Sequence, residues 1–195
     1  MRIPRDRTPT RLLAFVWVGT LLSFAACSPP IGVSRVGART VYHSLTASAL
    51  STGRPSEWTR STVNSWGLHG RFDDDPEGAL RALREIVTSG RGGSAELFAL
   101  GELSFLHAED SSKKPYYLAA AVYTYAFLFP GERQAQPDEL DPRTRLAADF
   151  YNHAITTAFR SRDGRTVELA PGTYPLPFGQ LEVWMDPGNR GVANW

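Results

Sequence analysis

The sequence predicts a mainly α-helical protein: an antiparallel helical array with a short C-terminal β segment and an N-terminal signal peptide. Apolar residues recur at helical intervals over residues 40–162. Two Asp-Pro pairs, at Asp75 and Asp141, have the form of a helix N-cap followed by proline at the first helical position. Beyond Asp163 apolar and polar residues alternate, as in strands, and prolines and glycines are frequent. The expected segments are a leader (1–26), a flexible tether (27–39), a helical domain (40–162) and a β segment (163–195).

The N-terminal residues have the composition of a bacterial export signal. Four arginines and one aspartate precede an apolar stretch, residues 12–26, that is shorter than a typical membrane span. Ala25 and Ala26 lead directly into Cys27, the only cysteine of the chain. This stretch resembles the lipobox of bacterial lipoproteins, except that Phe24 stands where leucine is usual. The resemblance implies that Cys27 is lipidated on sulfur and becomes the mature N-terminus.

Two other interpretations of the leader stay open. An ordinary secretory signal would be cleaved near Ala26, and an uncleaved leader would remain as a membrane helix. Lipidation accounts for both the solitary thiol and its position, and two acyl chains already give stable attachment to a bilayer. Ser28 after the cysteine implies, within the same resemblance, an outer membrane location facing the periplasm. The expected location is therefore the bacterial cell envelope, with the membrane contacted through the lipid anchor.

The charge balance gives no support for a nucleic-acid partner. The whole chain has 21 basic and 20 acidic residues and a net charge of +1. Without the four arginines and one aspartate of the leader, 17 basic and 19 acidic residues remain, a net charge of −2. Such a body lacks the basic stripe that phosphate backbones require. With a single cysteine it also has no internal disulfide, so packing alone has to stabilise it.

The first part of the body, residues 40–68, predicts two short helices interrupted at Gly53 and Pro55. Ser56 is the expected N-cap of the second. One face of that helix carries Trp58, Thr62, Val63 and Trp66. Tryptophans at this spacing are more often core residues than ligand-stacking residues, and we expect a core role.

Asp75 starts the next helix, with Pro76 and Glu77 in its first turn. The three consecutive aspartates at 73–75 lack the glycine and the distal glutamate of a calcium loop, so a capped helix explains them better. The expected buried stripe contains Leu80, Leu83, Ile86 and Val87.

Three more helices are expected, beginning near Ser94, near Tyr116 and at Asp141. The run over residues 116–129 is so apolar that it predicts the central, nearly surrounded helix. Helical spacing in the first of the three involves Leu97, Leu100, Leu103, Ser104 and His107. In the last it involves Leu146, Phe150, Ala154, Ile155 and Ala158.

The two middle helices share a pattern of small and large residues. Its members are Leu100, Gly101, Ala119, Tyr123, Ala126 and Pro130. The pattern is similar to that of a tetratricopeptide unit, in which small residues let two antiparallel helices touch and proline ends the second. The loop between the two helices is longer than in that repeat, and the sequence contains one copy of the pattern. The resemblance is therefore limited to how the two helices pack.

After a turn at Asp163 and Gly164, two short strands are expected, over residues 166–169 and 180–184. An isolated two-stranded piece is marginal in water.

Several stretches of the body carry a wider resemblance. They read TASALSTGRPSEWTRSTVNSWGL, FDDDPEGALRAL, AELFALGELSFLHA, YYLAAAVYTYAFLFP, DPRTRLAADFYNHAITTAF and VELAPGTYPLPFGQLEV. Together they resemble the N-terminal helical region of bacterial lipoproteins of the α/β-hydrolase (esterase/lipase) family. In that family a hydrolase domain follows such a region, so the resemblance implies a chain truncated before its catalytic domain, with that domain or another protein as a partner.

The catalytic motif of that family is not present in this sequence. Acyl transfer on this fold uses a serine in a G-x-S-x-G elbow, with a later acid and histidine. The nearest string, GGSAE over residues 92–96, lacks the second glycine and predicts an interhelical loop in which Ser94 caps the next helix.

The histidines do not have the spacing of a zinc site. His43, His69, His107 and His153 are scattered, although His107 and His153 lie on helices that could face each other, with Glu102 and Glu109 near His107 in the sequence. We expect hydrogen-bonded or solvent-edge histidines, and no catalytic residue, cofactor or metal is assigned.

The expected function is that of a membrane-anchored lipoprotein forming the non-catalytic helical part of a hydrolase-like protein. The alternative is a free-standing envelope lipoprotein whose helical array binds a protein partner. A third hypothesis is an independent enzyme with an unrecognised site.

Overall fold

The computed structural model describes residues 37–38, 47–68, 70–131, 137–138 and 140–185. The chain divides into two compact units, Met1–Gly37 and Ala38–Trp195, and all elements named below belong to the second. The predicted leader, Cys27 and most of the predicted tether lie outside the described residues, as do His43 and His69. No helix within the described ranges is both long and apolar enough to cross a bilayer.

The predicted fold class is confirmed as mainly helical with a short C-terminal sheet. The described residues form seven helices and one two-stranded antiparallel sheet. The helices are α1 (Ala49–Thr52), α2 (Glu57–Ser65), α3 (Arg71–Asp74), α4 (Pro76–Thr88), α5 (Ser94–Ser111), α6 (Lys114–Leu128) and α7 (Pro142–Ala158). As predicted, the chain breaks between α1 and α2, where Gly53 adopts a φ of +65° that glycine tolerates without strain.

Three predicted helix starts are confirmed. The side chains of Ser56, Asp75 and Asp141 each accept a hydrogen bond from a backbone N–H in the first turn of the helix, at 3.4, 2.9 and 2.9 Å. These bonds satisfy N–H groups that have no partner inside the helix.

The predicted cap of α5 was wrong. Gly93 occupies the N-cap and Ser94 is the first helical residue. The Glu96 carboxylate accepts a hydrogen bond from the Gly93 N–H at 2.7 Å. Because the third helical residue reaches back in this way, the helix starts without a serine cap.

The central helix is α5, not α6 as the hydropathy predicted. All residues over 97–108 of α5 are buried, since α5 packs against α1, α2, α4, α6 and α7. In contrast, α6 leaves Tyr125 52% exposed near its C-terminus. Hydropathy favoured α6 because α5 contains Glu102, Ser104 and His107, which are polar and nevertheless buried.

Helix α6 runs antiparallel to α5. Gly101 of α5 lies against Thr124, and further along α5 the Glu109 carboxylate accepts a hydrogen bond from the Tyr117 hydroxyl at 2.8 Å. A Cβ at Gly101 would lie 2.5 Å from Thr124 Cγ2, so the close approach of the two helices requires glycine.

An aromatic cluster fills the space between α5, α6 and α7. Phe98 meets Phe127 and Phe150 with ring centroids 5.5 and 6.4 Å apart, and Phe105 meets Phe150 at 5.4 Å. Edge-to-face and tilted pairs of this kind add to the stabilisation from buried apolar area.

The predicted apolar faces are largely confirmed. The buried apolar members are Val63, Leu80, Leu83, Ile86, Leu97, Leu100, Leu103, Phe150, Ala154 and Ala158. Partly buried members packed against the core are Trp58, Trp66, Val87, Leu146 and Ile155.

The β segment is a single hairpin. β1 (Gly172–Leu176) pairs antiparallel with β2 (Gly179–Val183), and Pro177 and Phe178 form the connection. The second predicted strand is therefore confirmed. Pro175 is tolerated within β1, although it has no N–H to donate, because both strands of a two-stranded sheet are edge strands.

The first predicted strand, over residues 166–169, was misplaced. Val167 forms an isolated bridge with Arg160. The Glu168 N–H donates to the Phe159 carbonyl at 2.7 Å, so this stretch pairs with the end of α7 and not with β2. The residues that pair with β2 lie after Pro171, in the part predicted to be an extended loop.

One face of the hairpin packs on the helices. Tyr174 and Leu181 lie opposite each other in the register and are partly buried. The Tyr174 ring meets Phe159 edge-on at 5.0 Å. At the turn, the Phe178 ring lies 5.2 Å from that of Tyr123. The turn of the hairpin is therefore held over α6.

Candidate functional site

The residues weighed in the sequence fall into separate surroundings. Cys27 lies outside the described residues. The His107 ring meets Tyr116 at 4.4 Å, whereas the His153 ring meets Phe105 at 5.3 Å. Within the described ranges, no group of three or more His, Cys, Asp or Glu side chains is arranged to hold a metal ion.

A buried carboxylate on α5 is the first polar centre of the body. Glu102 is 0% exposed. Its Oε1 accepts hydrogen bonds from the backbone N–H groups of Ala49 at 2.9 Å and Ser56 at 3.1 Å. Its Oε2 accepts from the hydroxyls of Ser56 and Thr59, both at 2.6 Å. Four donors saturate the accepting capacity of one carboxylate.

This arrangement makes Glu102 a structural group. The donors come from the start of α1 and the start of α2, so one side chain fixes both short helices to the central helix. A carboxylate with every lone pair occupied and no exposed surface has no capacity left for a substrate proton or a metal ion. Its role is to hold the N-terminal part of the body in place.

A second carboxylate repeats this connection six residues earlier on α5. Glu96 accepts a hydrogen bond from the Trp66 indole N–H at 2.8 Å. The start of α2 contacts Glu102, whereas Trp66, directly after the end of α2, contacts Glu96, which comes earlier on α5. The two helices therefore run antiparallel. Trp66 is thus half-buried and hydrogen-bonded to the protein itself, which agrees with the expected core role.

The second polar centre is a groove between α4, α5 and α6, covered by the hairpin turn. We call it the arginine groove; its volume is about 310 Å³. Its lining residues are Glu77, Leu80, Arg81, Arg84, Ser104, Tyr116, Ala119, Tyr123, Pro177 and Phe178. The lining residues of α4, and likewise those of α6, are three or four positions apart, so each set lies on one face of its helix.

Charges in the arginine groove are unevenly paired. Glu77 forms an ion pair with Lys113 at 2.7 Å, and this ammonium group lowers the pKa of the carboxyl. Among the described residues, no carboxylate lies within ion-pair distance of Arg81 or Arg84. The Arg84 guanidinium instead lies over the Phe178 ring, 4.9 Å from its centroid. The groove therefore holds two cations without acidic partners.

The phenols of the groove are neutral at physiological pH. Burial, together with the nearby Glu77 charge, raises the pKa of Tyr116 to about 12. Burial also raises the pKa of Tyr123. Both hydroxyls keep their protons, so each can donate a hydrogen bond but neither supplies a negative charge to Arg81 or Arg84.

The floor of the arginine groove is a serine of the central helix. Ser104 is 1% exposed and lines the groove. Beside it, His107 Nε2 is buried, lies 3.5 Å from Glu77 Oε1, and forms no hydrogen bond within the described residues. The buried part of the lining therefore contains a hydroxyl beside the apolar side chains of Leu80 and Ala119.

No pattern in the sequence predicted the arginine groove. Its members come from α4, α5, α6 and the hairpin turn, so no local motif contains them. The sequence places Glu77 and Glu85 four positions from Arg81, a spacing that favours ion pairs on a helix, so the absence of such pairs at Arg81 and Arg84 among the described residues is visible only in the structure.

Comparisons of this chain with protein-family models, with curated proteins and with solved structures found no match.

Proposed function

We propose that the chain is a lipid-anchored bacterial envelope protein, attached through Cys27 to the outer membrane and facing the periplasm, with a non-catalytic helical body that positions a hydrolase-like domain. The observation that supports this function is the exposure of large apolar side chains in the C-terminal segment. Val167, Leu169, Trp184 and Met185 are 52%, 49%, 79% and 47% exposed.

The architecture of the hairpin supports docking of further strands. A two-stranded sheet is marginal by itself, and the outer edge of β2, which contains no proline, presents backbone N–H and C=O groups that can pair with another strand. Tyr174, Leu181 and Phe178 fix the hairpin to the helices, so strands added to it would have a defined orientation relative to the body.

Translation of the DNA that follows the codon for Trp195 tests the hydrolase assignment. We expect strand-turn-helix segments that include a G-x-S-x-G elbow, within the same or an adjacent reading frame. A following sequence that encodes nothing of this kind would remove the hydrolase part of the proposal.

Membrane attachment has a separate test. In a bacterial host, the chain and its Cys27→Ser variant are compared by membrane fractionation and by the mass of the mature N-terminus. We expect the variant to be unprocessed and to lack the acyl mass. Identical processing and retention of the two chains would contradict the lipid anchor.

A second candidate function is a free-standing interaction module. The observation that favours it is the close α5–α6 pair at Gly101, whose packing we propose is tetratricopeptide-like, next to a groove open to a ligand. This function predicts that residues 28–195 are soluble, monomeric and cooperatively folded, and that a partner is recovered in pull-down. Aggregation through the exposed residues of the β segment would argue for the first function instead.

A further inference from the structure

The arginine groove has the size and composition of a small-molecule site. Its volume of about 310 Å³ lies at the lower end of the range of ligand pockets, roughly 300–1,000 Å³. Such sites combine apolar and aromatic walls with a few polar groups that converge on one place. Here the walls are Leu80, Ala119 and the rings of Tyr123 and Phe178, and the polar groups are those of Arg81, Arg84, Ser104, Tyr116 and Glu77, the last of which is paired with Lys113.

The charges favour an anion. A guanidinium presents a planar set of N–H donors that matches a carboxylate, and such charge-assisted bonds are stronger than neutral ones. Arg81 and Arg84 have no acidic partner among the described residues, so an anion entering the groove does not have to displace an internal ion pair. With Glu77, the lining residues carry a net charge of +1, which matches a monoanion.

The apolar walls favour a flat hydrocarbon group beside that anion. Phe178 and Tyr123 form one side of the groove with ring centroids 5.2 Å apart. Leu80 and Ala119, 6% and 1% exposed, form the deep apolar surface. An aromatic ring in this position would make offset or edge contacts with the two rings.

The floor offers a hydroxyl for the anionic group. Ser104 is almost fully buried, reaches the groove, and has no side-chain hydrogen bond within the described part of the chain. The hydroxyl of Ser104 can donate a hydrogen bond, and a bound carboxylate oxygen would accept it.

We propose that the arginine groove binds a small aromatic carboxylate, with the carboxylate held by Arg81, Arg84 and the Ser104 hydroxyl and the ring against Phe178 and Tyr123. The site does not depend on the lipid anchor or on a hydrolase-like partner, because every lining residue belongs to this chain.

Titration of the purified full chain with phenylacetate tests the proposal, with binding measured by calorimetry or by ligand-observed NMR. Phenylacetamide has the same shape without the charge, and acetate has the charge without the ring. We expect phenylacetate to bind at least tenfold more tightly than either, since the amide loses the charge-assisted bonds and acetate loses the ring contacts. Equal binding of phenylacetate and phenylacetamide would overturn the assignment of the arginines.

Variants locate the binding to the groove. Arg81→Gln and Arg84→Gln are each expected to weaken phenylacetate binding by about tenfold. Arg162→Gln, an exposed arginine outside the groove, is the control and is expected to bind like the parent chain. Circular dichroism melts of all three establish that they are folded. Unchanged affinity in both groove variants, or no saturable binding by the parent chain, would overturn the proposal.

Discussion

The two polar centres of the helical body differ in one respect that separates structure from binding. Around Glu102, four donors meet one buried carboxylate and nothing is left unpaired. In the arginine groove, Arg81 and Arg84 have no acidic partner among the described residues, and the Ser104 hydroxyl lines the same groove. A saturated polar group stabilises the fold, whereas an unsaturated set beside a cavity has donors available for a ligand.

Removal of Glu102 should have the largest effect on stability. Glu102→Ala leaves two buried backbone N–H groups and two hydroxyls without an acceptor, and we expect a loss of roughly 3–5 kcal/mol in the free energy of unfolding. Chemical denaturation followed by circular dichroism measures it. Glu85→Ala, on the exposed side of α4, is the control and should cost well under that amount. Equal stability of the two variants would show that the Glu102 network is not structural.

Gly101→Ala should have the next largest effect. The added Cβ would lie 2.5 Å from Thr124 Cγ2, so α5 and α6 have to separate, at a cost of roughly 1–3 kcal/mol. The double variant with Thr124→Ser, which removes Cγ2, should recover most of this loss. Gly131→Ala is the control, because nothing lies within 4 Å of its added Cβ. Failure of Thr124→Ser to restore stability would contradict the close contact.

Asp141 should make stability depend on acid pH. Hydrogen bonds from the Arg143 side chain hold the pKa of Asp141 below its usual value of 3.8. A lowered pKa in the folded state gives stabilisation that is complete above about pH 5 and is lost as the pH falls through the folded pKa.

The test of this dependence is Asp141→Asn. Asparagine keeps the N-cap but not the charge, so we expect a loss of about 1 kcal/mol at pH 7 and a difference that shrinks below pH 3. The exposed Asp74→Asn is the control. A difference between Asp141→Asn and the parent chain that stays constant from pH 7 to pH 2 would exclude the ion pair as its cause.

Phe178→Ala should have the smallest effect on global stability and a local effect on the hairpin. It removes the ring contacts with Tyr123 and Arg84, worth about 1 kcal/mol, so hydrogen exchange of the β1 and β2 amides should accelerate about fivefold. Thr173→Ala, on the exposed face of β1, should leave this exchange unchanged. Equal acceleration of exchange in the amides of α5 would show that the substitution destabilises the whole fold and not the hairpin alone.

Local patterns predicted the elements of this fold better than their arrangement. The caps at Ser56, Asp75 and Asp141 and the apolar stripe of α4 follow from interactions within a few residues, and they were predicted from the sequence. The central position of α5 was not, because burial of Glu102 depends on donors more than forty residues away in the sequence. Hydropathy treats such a residue as a surface residue.

The β segment and the arginine groove also depend on contacts between residues that are distant in the sequence, which local patterns do not predict. The strand over 166–169 was misplaced because its pairing partner turned out to be the end of α7, which a search for alternating residues does not consider. The arginine groove forms only when Phe178 of the hairpin is placed beside Arg84 and Tyr123. The lipid anchor at Cys27, by contrast, remains a prediction from sequence.

The most direct test of the contrast between the two centres is the affinity for phenylacetate in Glu102→Gln and in the double variant Arg81→Gln/Arg84→Gln, each measured beside its own unfolding curve. We predict that Glu102→Gln unfolds more easily but binds with the parent affinity, whereas the double arginine variant loses binding and loses no more than about 1 kcal/mol of stability, from the Arg84–Phe178 contact. Loss of binding in folded Glu102→Gln with full binding in the arginine variant would contradict the assignment of one centre to structure and the other to a ligand.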